Sequence, residues 1–210
     1  MGNLSFNLNK FKKKFMRFIN NLDFQKFIGR HTLLYGEPNT QKTYLTAKFV
    51  EFLLKLEKVA PKEISILDFA PKLSCINKLR IGGRIRDFYK DSKKCNYIKF
   101  KGEIIPSRLK ARNKNELYKN LCHNHEITSY LLQKFNDNPT SILIINDISI
   151  YLHLGDKVYI LNTINRAKTF FGNSYFGYSI KKNYSKLLNI KERKRVEFLI
   201  KNIENSIKTN

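Results

Sequence analysis

His31-Thr-Leu-Leu-Tyr-Gly36-Glu-Pro-Asn-Thr-Gln-Lys42-Thr43 is the stretch on which the fold turns. Its first five residues are short and mostly apolar, as a strand should be, and Gly36 ends them. From Lys42 to about Lys58, Leu45, Phe49, Phe52, Leu53 and Leu56 recur at helical spacing, and Pro61 stops the pattern. A strand, a glycine-opened loop and a helix in that order gather backbone N–H groups and the positive end of a helix at one point. That geometry suits an anion.

The rest of the chain repeats the alternation. Ile64-Ser-Ile-Leu-Asp-Phe69 reads as a second strand, closed by Pro71. Residues 72–95 are basic and irregular, and Tyr97 to Ile105 reads as another strand. Asn115 to Phe135 is a long helical pattern with Leu117, Leu121, Leu131, Leu132 and Phe135 facing inward, and Asn136 to Pro139 is a turn. Ser141-Ile-Leu-Ile-Ile145 contains an unbroken apolar run, the mark of a strand buried on both faces. A helix over Lys157 to Phe170, a strand over Tyr175 to Ile180 and a helix over Lys191 to Ile207 complete the reading. The last carries a stripe of Val196, Leu199, Ile200, Ile203 and Ile207. Such alternation predicts an α/β domain: a mainly parallel sheet with flanking helices. Residues 1–28 form a basic amphipathic lead with Phe11, Phe15, Phe18 and Leu22 at helical spacing. Residues 29–210 form the domain, with a basic insertion at about 72–115.

Gly36-Glu37-Pro38-Asn39-Thr40-Gln41-Lys42-Thr43 resembles the Walker A phosphate-binding loop, Gly-x-x-x-x-Gly-Lys-Ser/Thr, in the expected strand–helix context. All eight residues are candidate nucleotide contacts. Lys42 would sit near the β- and γ-phosphates, and Thr43 would offer its hydroxyl to Mg²⁺. Gln41 stands where the pattern has its second glycine. A Cβ in a left-handed conformation costs about 1–2 kcal/mol, so Gln41 is expected to weaken phosphate binding. Asp147 follows the buried run 142–145, where an acidic residue would hold Mg²⁺.

Taken with Ile64 to Asp68 and Ile142 to Asp147, the loop makes the chain resemble the RecA/KaiC-like branch of P-loop ATPases. The resemblance covers about 120 residues by order of elements. It implies ATP with Mg²⁺, and a parallel sheet whose loop-bearing and acid-bearing strands are neighbours. Many such proteins have a glutamate that polarises the attacking water, but Ile148 follows Asp147 here. Asp68 is the best-placed substitute as a catalytic residue. Arg84 and Arg166 are candidates for an arginine that stabilises the γ-phosphoryl charge, and a homo-oligomer would supply one from a neighbour. The implied function is an ATP-binding protein with slow ATPase activity. Two alternatives stand beside it: a nucleic-acid-binding module on a P-loop fold that has lost efficient nucleotide binding, and a small-molecule kinase with the insertion as acceptor lid.

Composition bears on partners. The formal net charge is +23, with basic runs at Lys72 to Lys94, Arg108 to Lys114 and Lys191 to Arg195. Phe88, Tyr89 and Tyr97 interleave with the first run as potential base-stacking groups. Lys outnumbers Arg and Asn, Ile, Phe and Tyr are abundant, which an AT-rich genome also produces. Three cysteines, Cys75, Cys95 and Cys122, show no disulfide or zinc spacing, and predict a reduced, cytoplasmic protein. Cys122-His123-Asn124-His125 reads as helical surface, not as a metal site. No apolar run approaches the ~20 residues of a membrane span. If the charge serves nucleic acid, binding to a phosphate-backbone matrix will be sequence-independent and will fall steeply as salt rises. A flat salt response, or no retention at low salt, would trace the charge to codon usage.

Overall fold

The computed structural model describes residues 22–76, 79–180 and 185–209. Most of the amphipathic lead, residues 1–21, lies outside them. Its last residues form a 3-10 turn, Phe24–Phe27, capped by Asp23. Strand β1 is His31–Gly36 and helix α1 is Lys42–Lys55. Strand β2, Ile64–Asp68, leads into the insertion, which is more ordered than its composition suggests. It holds the hairpin β3 (Ser74–Ile76) and β4 (Leu79–Ile81), the short helix α2 (Ile85–Phe88), the two-residue strand β5 (Asn96–Tyr97) and α3 (Ser107–Lys110). The strand expected from Tyr97 to Ile105 is therefore only Asn96–Tyr97. Ile98, Phe100 and Ile104 still pack on the core while Lys99, Lys101 and Glu103 face outward, but pairing with β2 ends where Ile98 N–H donates to the Ile66 carbonyl. Helix α4 is Lys114–Asp137, β6 is Ile142–Asn146, α5 is Ser149–Leu152 and α6 is Lys157–Ile164. Strand β7 is Thr169–Tyr175, α7 is Lys186–Asn202 and β8 is Asn205–Thr209.

The six-stranded sheet has the order β5-β2-β6-β7-β1-β8, and every pair in it is parallel. The expected α/β architecture is thus present. Two placements differ from the sequence reading. The strand assigned to Tyr175–Ile180 lies earlier, at 169–175, so the preceding helix stops at Ile164 rather than Phe170. This strand also corrects the implied neighbourhood of the loop and the acid: β7 pairs with both β1 and β6 and separates them. The last helix ends at Asn202, and Ile207 lies on the edge strand β8 beside β1.

Burial on both faces explains the sheet. Along β6, Ile142 and Ile144 face one side with Leu34, Ile64, Ile66 and Phe171, where α1 contributes Leu45, Phe49, Val50 and Leu53. Leu143 and Ile145 face the other, with Leu33, Leu67, Phe170 and the inward residues Leu131, Leu132 and Phe135 of α4. Phe49 stacks on Phe171 with ring centroids 4.4 Å apart, and Phe24 and Phe27 extend that aromatic layer. Leu117 and Leu121 are buried in a smaller cluster with Ala111.

Strand β8 seats the loop that follows β1. A Cβ built on Gly36 would lie 2.5 Å from the Thr209 backbone oxygen, so only glycine lets the two strands approach this closely. Gly36→Ala is expected to cost about 1–3 kcal/mol of stability through overpacking, read as a lowered urea midpoint with unchanged slope. A midpoint equal to that of the unaltered chain would mean that β8 yields freely.

Candidate functional site

The loop after β1 is built on left-handed turns. Asn39 has φ 61° and Gln41 has φ 59°, and both are non-glycine residues. Alternation into the left-handed region turns successive N–H groups inward, as in an anion-binding nest. Among the described residues, no hydrogen-bond acceptor meets the backbone N–H groups of Asn39, Thr40, Gln41, Lys42 or Thr43. The Gln41 carbonyl, at the N-cap of the following helix, accepts from Leu45 N–H at 3.0 Å.

Lys42 is 9% exposed. Its ammonium donates to the carbonyls of Gly36 (3.1 Å) and Glu37 (2.6 Å) and to Thr40 Oγ1 (3.1 Å). Burial pushes its pKa down to about 8, against the opposing pull of the Asp147 and Glu37 carboxylates. Thr40 Oγ1 also lies 2.7 Å from Thr209 Oγ1, so the loop is tied to β8 by side chains as well as by packing. The Glu37 carboxylate turns outward and accepts from Tyr178 N (2.6 Å), Ser179 N and Ser179 Oγ (2.6 Å). These bonds hold its pKa below the usual carboxylate value against the opposing effect of burial.

Behind the loop, the tips of β2, β6 and β7 carry a buried polar network. Thr43 Oγ1 donates to Asn146 Oδ1 at 3.1 Å, and Asn173 Nδ2 donates to the same oxygen at 2.8 Å. Asn173 Nδ2 also reaches Thr46 Oγ1. Asn146 Nδ2 donates to Asp68 Oδ1 (2.7 Å) and to the Gly83 carbonyl (3.0 Å). The other Asp68 oxygen accepts from Ile85 N (2.9 Å) and from the Tyr97 hydroxyl. Desolvation raises the Asp68 pKa, while Tyr97, Asn146 and Ile85 oppose the rise. Both Asp68 oxygens are engaged, and Asp68 does not line the cavity described below. The residue anchors the insertion to the sheet.

Asp147 lies one residue past β6, with φ 61°, and is partly exposed. Its Oδ1 accepts from Ser149 Oγ at 2.8 Å, and its backbone N–H donates to Asn173 Oδ1. Desolvation raises its pKa, and Ser149 and Lys42 counter that rise. Of the two candidate arginines, Arg166 donates to the Asn136 carbonyl and precedes β7. It therefore lies at the end of the parallel sheet opposite the loop. Arg84 stands by Asp68, with its Nε buried and without a partner among the described residues. Asn124, within the Cys122–His125 segment, is fully buried rather than on the surface, and binds the backbone of Ile105 and Ser107 Oγ. Among the described residues no group of three or more His, Cys, Asp or Glu is placed to hold a metal.

A cavity of about 520 Å³ runs across the carboxyl ends of the strands. Pro38, Asn39, Gln41, Lys42, Thr43 and Asp147 line it, whereas Gly36, Glu37 and Thr40 shape the loop from behind. Asn146 and Asn173 were missed as site residues by the sequence reading. Asn146 has a visible signal, since it ends the buried run, but an amide there carries no charge pattern.

No protein-family model matches the chain, and no curated protein matches it. Among solved structures, it is similar to a chain of Drosophila ORC bound to GC-rich DNA and Cdc6, with a TM-score of 0.31 and 11% identity. That likeness covers 92% of this chain, which spans 57% of the other. Among the described residues no helix is long and apolar enough to cross a membrane.

The geometry changes the consequence expected of Gln41. Gln41 holds a left-handed φ of 59° in the folded loop, so its Cβ penalty bears on the fold. Gln41→Gly is therefore expected to stabilise the fold by about 0.5–1 kcal/mol, the Cβ penalty less the added chain entropy, with little change in nucleotide affinity. Urea unfolding and nucleotide titration of the variant separate the two. Tighter binding at unchanged stability would show that the loop rearranges on binding.

Proposed function

We propose that this chain binds ATP with Mg²⁺ at the loop Gly36 to Thr43. The observation that carries the reading is the set of N–H groups from Asn39 to Thr43 without acceptors among the described residues, next to the Lys42 ammonium and the N-terminus of α1. Four of those five residues border the cavity. Phosphate oxygens supply the missing acceptors and compete with the carbonyls of Gly36 and Glu37 for Lys42. Thr43 and Asp147 are the oxygen donors for Mg²⁺, a donor set that suits a hard cation retaining several waters. Asn146 and Asn173 hold Thr43 and the Asp147 backbone in place. The order of elements along the chain favours the RecA-like branch within P-loop proteins, although β7 separates the loop-bearing and acid-bearing strands.

On this reading hydrolysis is slow. Asp147 is the one carboxylate among the described residues lining the cavity, and a metal role occupies it. Asp68 is engaged by Asn146, Ile85 and Tyr97, so orientation of an attacking water is left without a dedicated carboxylate. A nucleic-acid partner is the second reading, supported by the net charge of +23 alone.

Calorimetric titration with ATP, with and without Mg²⁺, tests the proposal. The unaltered chain should bind, and Mg²⁺ should tighten the binding. Lys42→Ala should weaken it by about 10- to 100-fold, as expected for loss of a charge-assisted contact. Absence of binding at millimolar ATP, or equal binding by the variant, would remove the nucleotide from this loop.

A further inference from the structure

Net charge by itself names no surface, but packing brings the basic runs at 108–114 and 191–195 together. Arg108, in α3, is 6% exposed and donates to Asn189 Oδ1 (3.0 Å) and Glu192 Oε2 (2.5 Å) of α7. His153 Nε2 lies 3.1 Å from the other Glu192 oxygen. Beside this buried junction, Leu188 of α7 and Leu154 pack on Ala111, Leu117 and Leu121. The segments 107–119 and 186–197, far apart in sequence, therefore adjoin in one face.

Every carboxylate of these two segments is engaged. Glu116 pairs with Arg112, Glu192 with Arg108 and Glu197 with Arg193. Lys110, Lys114, Lys119, Lys186, Lys191 and Lys194 are exposed, and none has an ion pair among the described residues. On α1 and in the insertion, by contrast, Lys48 and Lys55 share Glu51, Lys72 has Glu103 and Lys94 has Asp91. The face also shows flat and apolar groups among its lysines. Tyr118 is 62% exposed, one helical turn from Lys114 and next to Lys119. Leu187 and Ile190 are exposed on the outer side of α7, at helical spacing with Lys194.

We infer that this face binds single-stranded nucleic acid through its phosphate backbone, without regard to base sequence. Lysine ammonium groups are point charges that meet phosphates without fixed geometry, and each phosphate neutralised releases condensed counterions. An exposed aromatic ring adds a stacking platform for any base, and only a base outside a duplex can reach it. The pairing of Tyr118 with lysines thus selects a single strand. A lipid surface fits less well. Helix α7 buries Val196 and Leu199 in the core, which leaves it no wide apolar side to sink into a bilayer. The inference rests on the nucleic-acid reading, to which it gives a location, and is independent of the nucleotide at the loop.

The test is fluorescence anisotropy of a labelled oligothymidylate, which forms no duplex, titrated with the full chain at several salt concentrations. The unaltered chain should bind, with the logarithm of affinity falling linearly against the logarithm of salt. The triple variant Lys119→Ala, Lys191→Ala, Lys194→Ala should flatten that slope by about 2, at ~0.7 per phosphate contact, and weaken binding roughly 100-fold at about 0.1 M salt. The control Lys62→Ala, Lys93→Ala, Lys168→Ala removes the same charge from exposed lysines that precede β2, β5 and β7, at the other end of the sheet. It should leave the slope unchanged. Tyr118→Ala should weaken the single strand about tenfold at unchanged slope and leave a duplex of equal length unaffected. Equal losses in the two triple variants would overturn the face, because net charge alone would then account for binding. Undiminished single-strand binding by Tyr118→Ala would overturn the choice of a single strand. Failure of the unaltered chain to bind at low salt would remove the nucleic-acid reading itself. Binding to phosphatidylserine vesicles instead of the oligonucleotide, lost in the first triple variant, would give the face to a membrane.

Discussion

The site hangs on one side chain, the carboxamide of Asn146. It ends a strand buried at every position and makes four hydrogen bonds, to Thr43, Asn173, Asp68 and the Gly83 carbonyl. Through them the first turn of α1, the tips of β2 and β7 and the start of the insertion share one rigid point. Each of these groups is buried or nearly so, and a buried polar group left unpaired costs about 1–3 kcal/mol. The network is therefore cooperative: its members are satisfied together or not at all. An aspartate at 146 would place a second carboxylate against Asp68, whose pKa burial already raises. An amide donates to Asp68 while accepting from Thr43, and no carboxylate does both.

Fully parallel pairing gives this network its meaning. All six carboxyl ends point the same way, so the loop after β1, Asp147 after β6 and Asn173 and Tyr175 near the end of β7 meet along one edge. Because β7 intervenes between β1 and β6, a gap opens between the loop and the acid, and Asn173 fills it with bonds to Thr46, Asn146 and the Asp147 backbone. The separation that the sequence reading did not foresee is thus what makes room for the amide ladder. The insertion then closes the β2 side, with Asp68, Tyr97 and Ile85 as its hinge to the sheet.

Much of this was legible in the chain itself. Helical spacing of Leu45, Phe49 and Leu53 and the unbroken run 142–145 reported burial directly, and those elements sit as read. The strand, loop and helix from His31 to Lys55 were legible from the same alternation, with Gly36 ending the strand. The strands that were misplaced share a cause. In β7, Asn173 and Ser174 are buried through hydrogen bonds, so polarity imitated a loop. In β8, Ile207 continues the spacing of the α7 stripe, and only the chain reversal at 203–204 moves it onto the sheet. Strand pairing at an edge depends on partners far away in sequence, and periodicity does not carry that information. The Arg108–His153–Glu192 cluster was invisible for the same reason: its members are separated by 45 and 39 positions and meet only after three helices pack.

Strain and support balance at the site. Asn39, Gln41 and Asp147 all adopt positive φ, and each such residue costs on the order of 1–2 kcal/mol, least for Asn and Asp. The cost is met by fixed surroundings. Thr40 is tied to Thr209, Glu37 to the 178–179 backbone, Lys42 to two loop carbonyls, and Asp147 to Asn173 and Ser149. A loop tied to β8, to the 178–179 backbone and to its own lysine does not need its second glycine to find the left-handed turn, because these bonds impose it. Gln41 is tolerated on those terms, and the same constraints fix the direction of the loop's N–H groups. If the loop holds phosphate as proposed, preorganisation of this kind would lower the ordering cost of binding and offset in affinity what the missing glycine costs in folding.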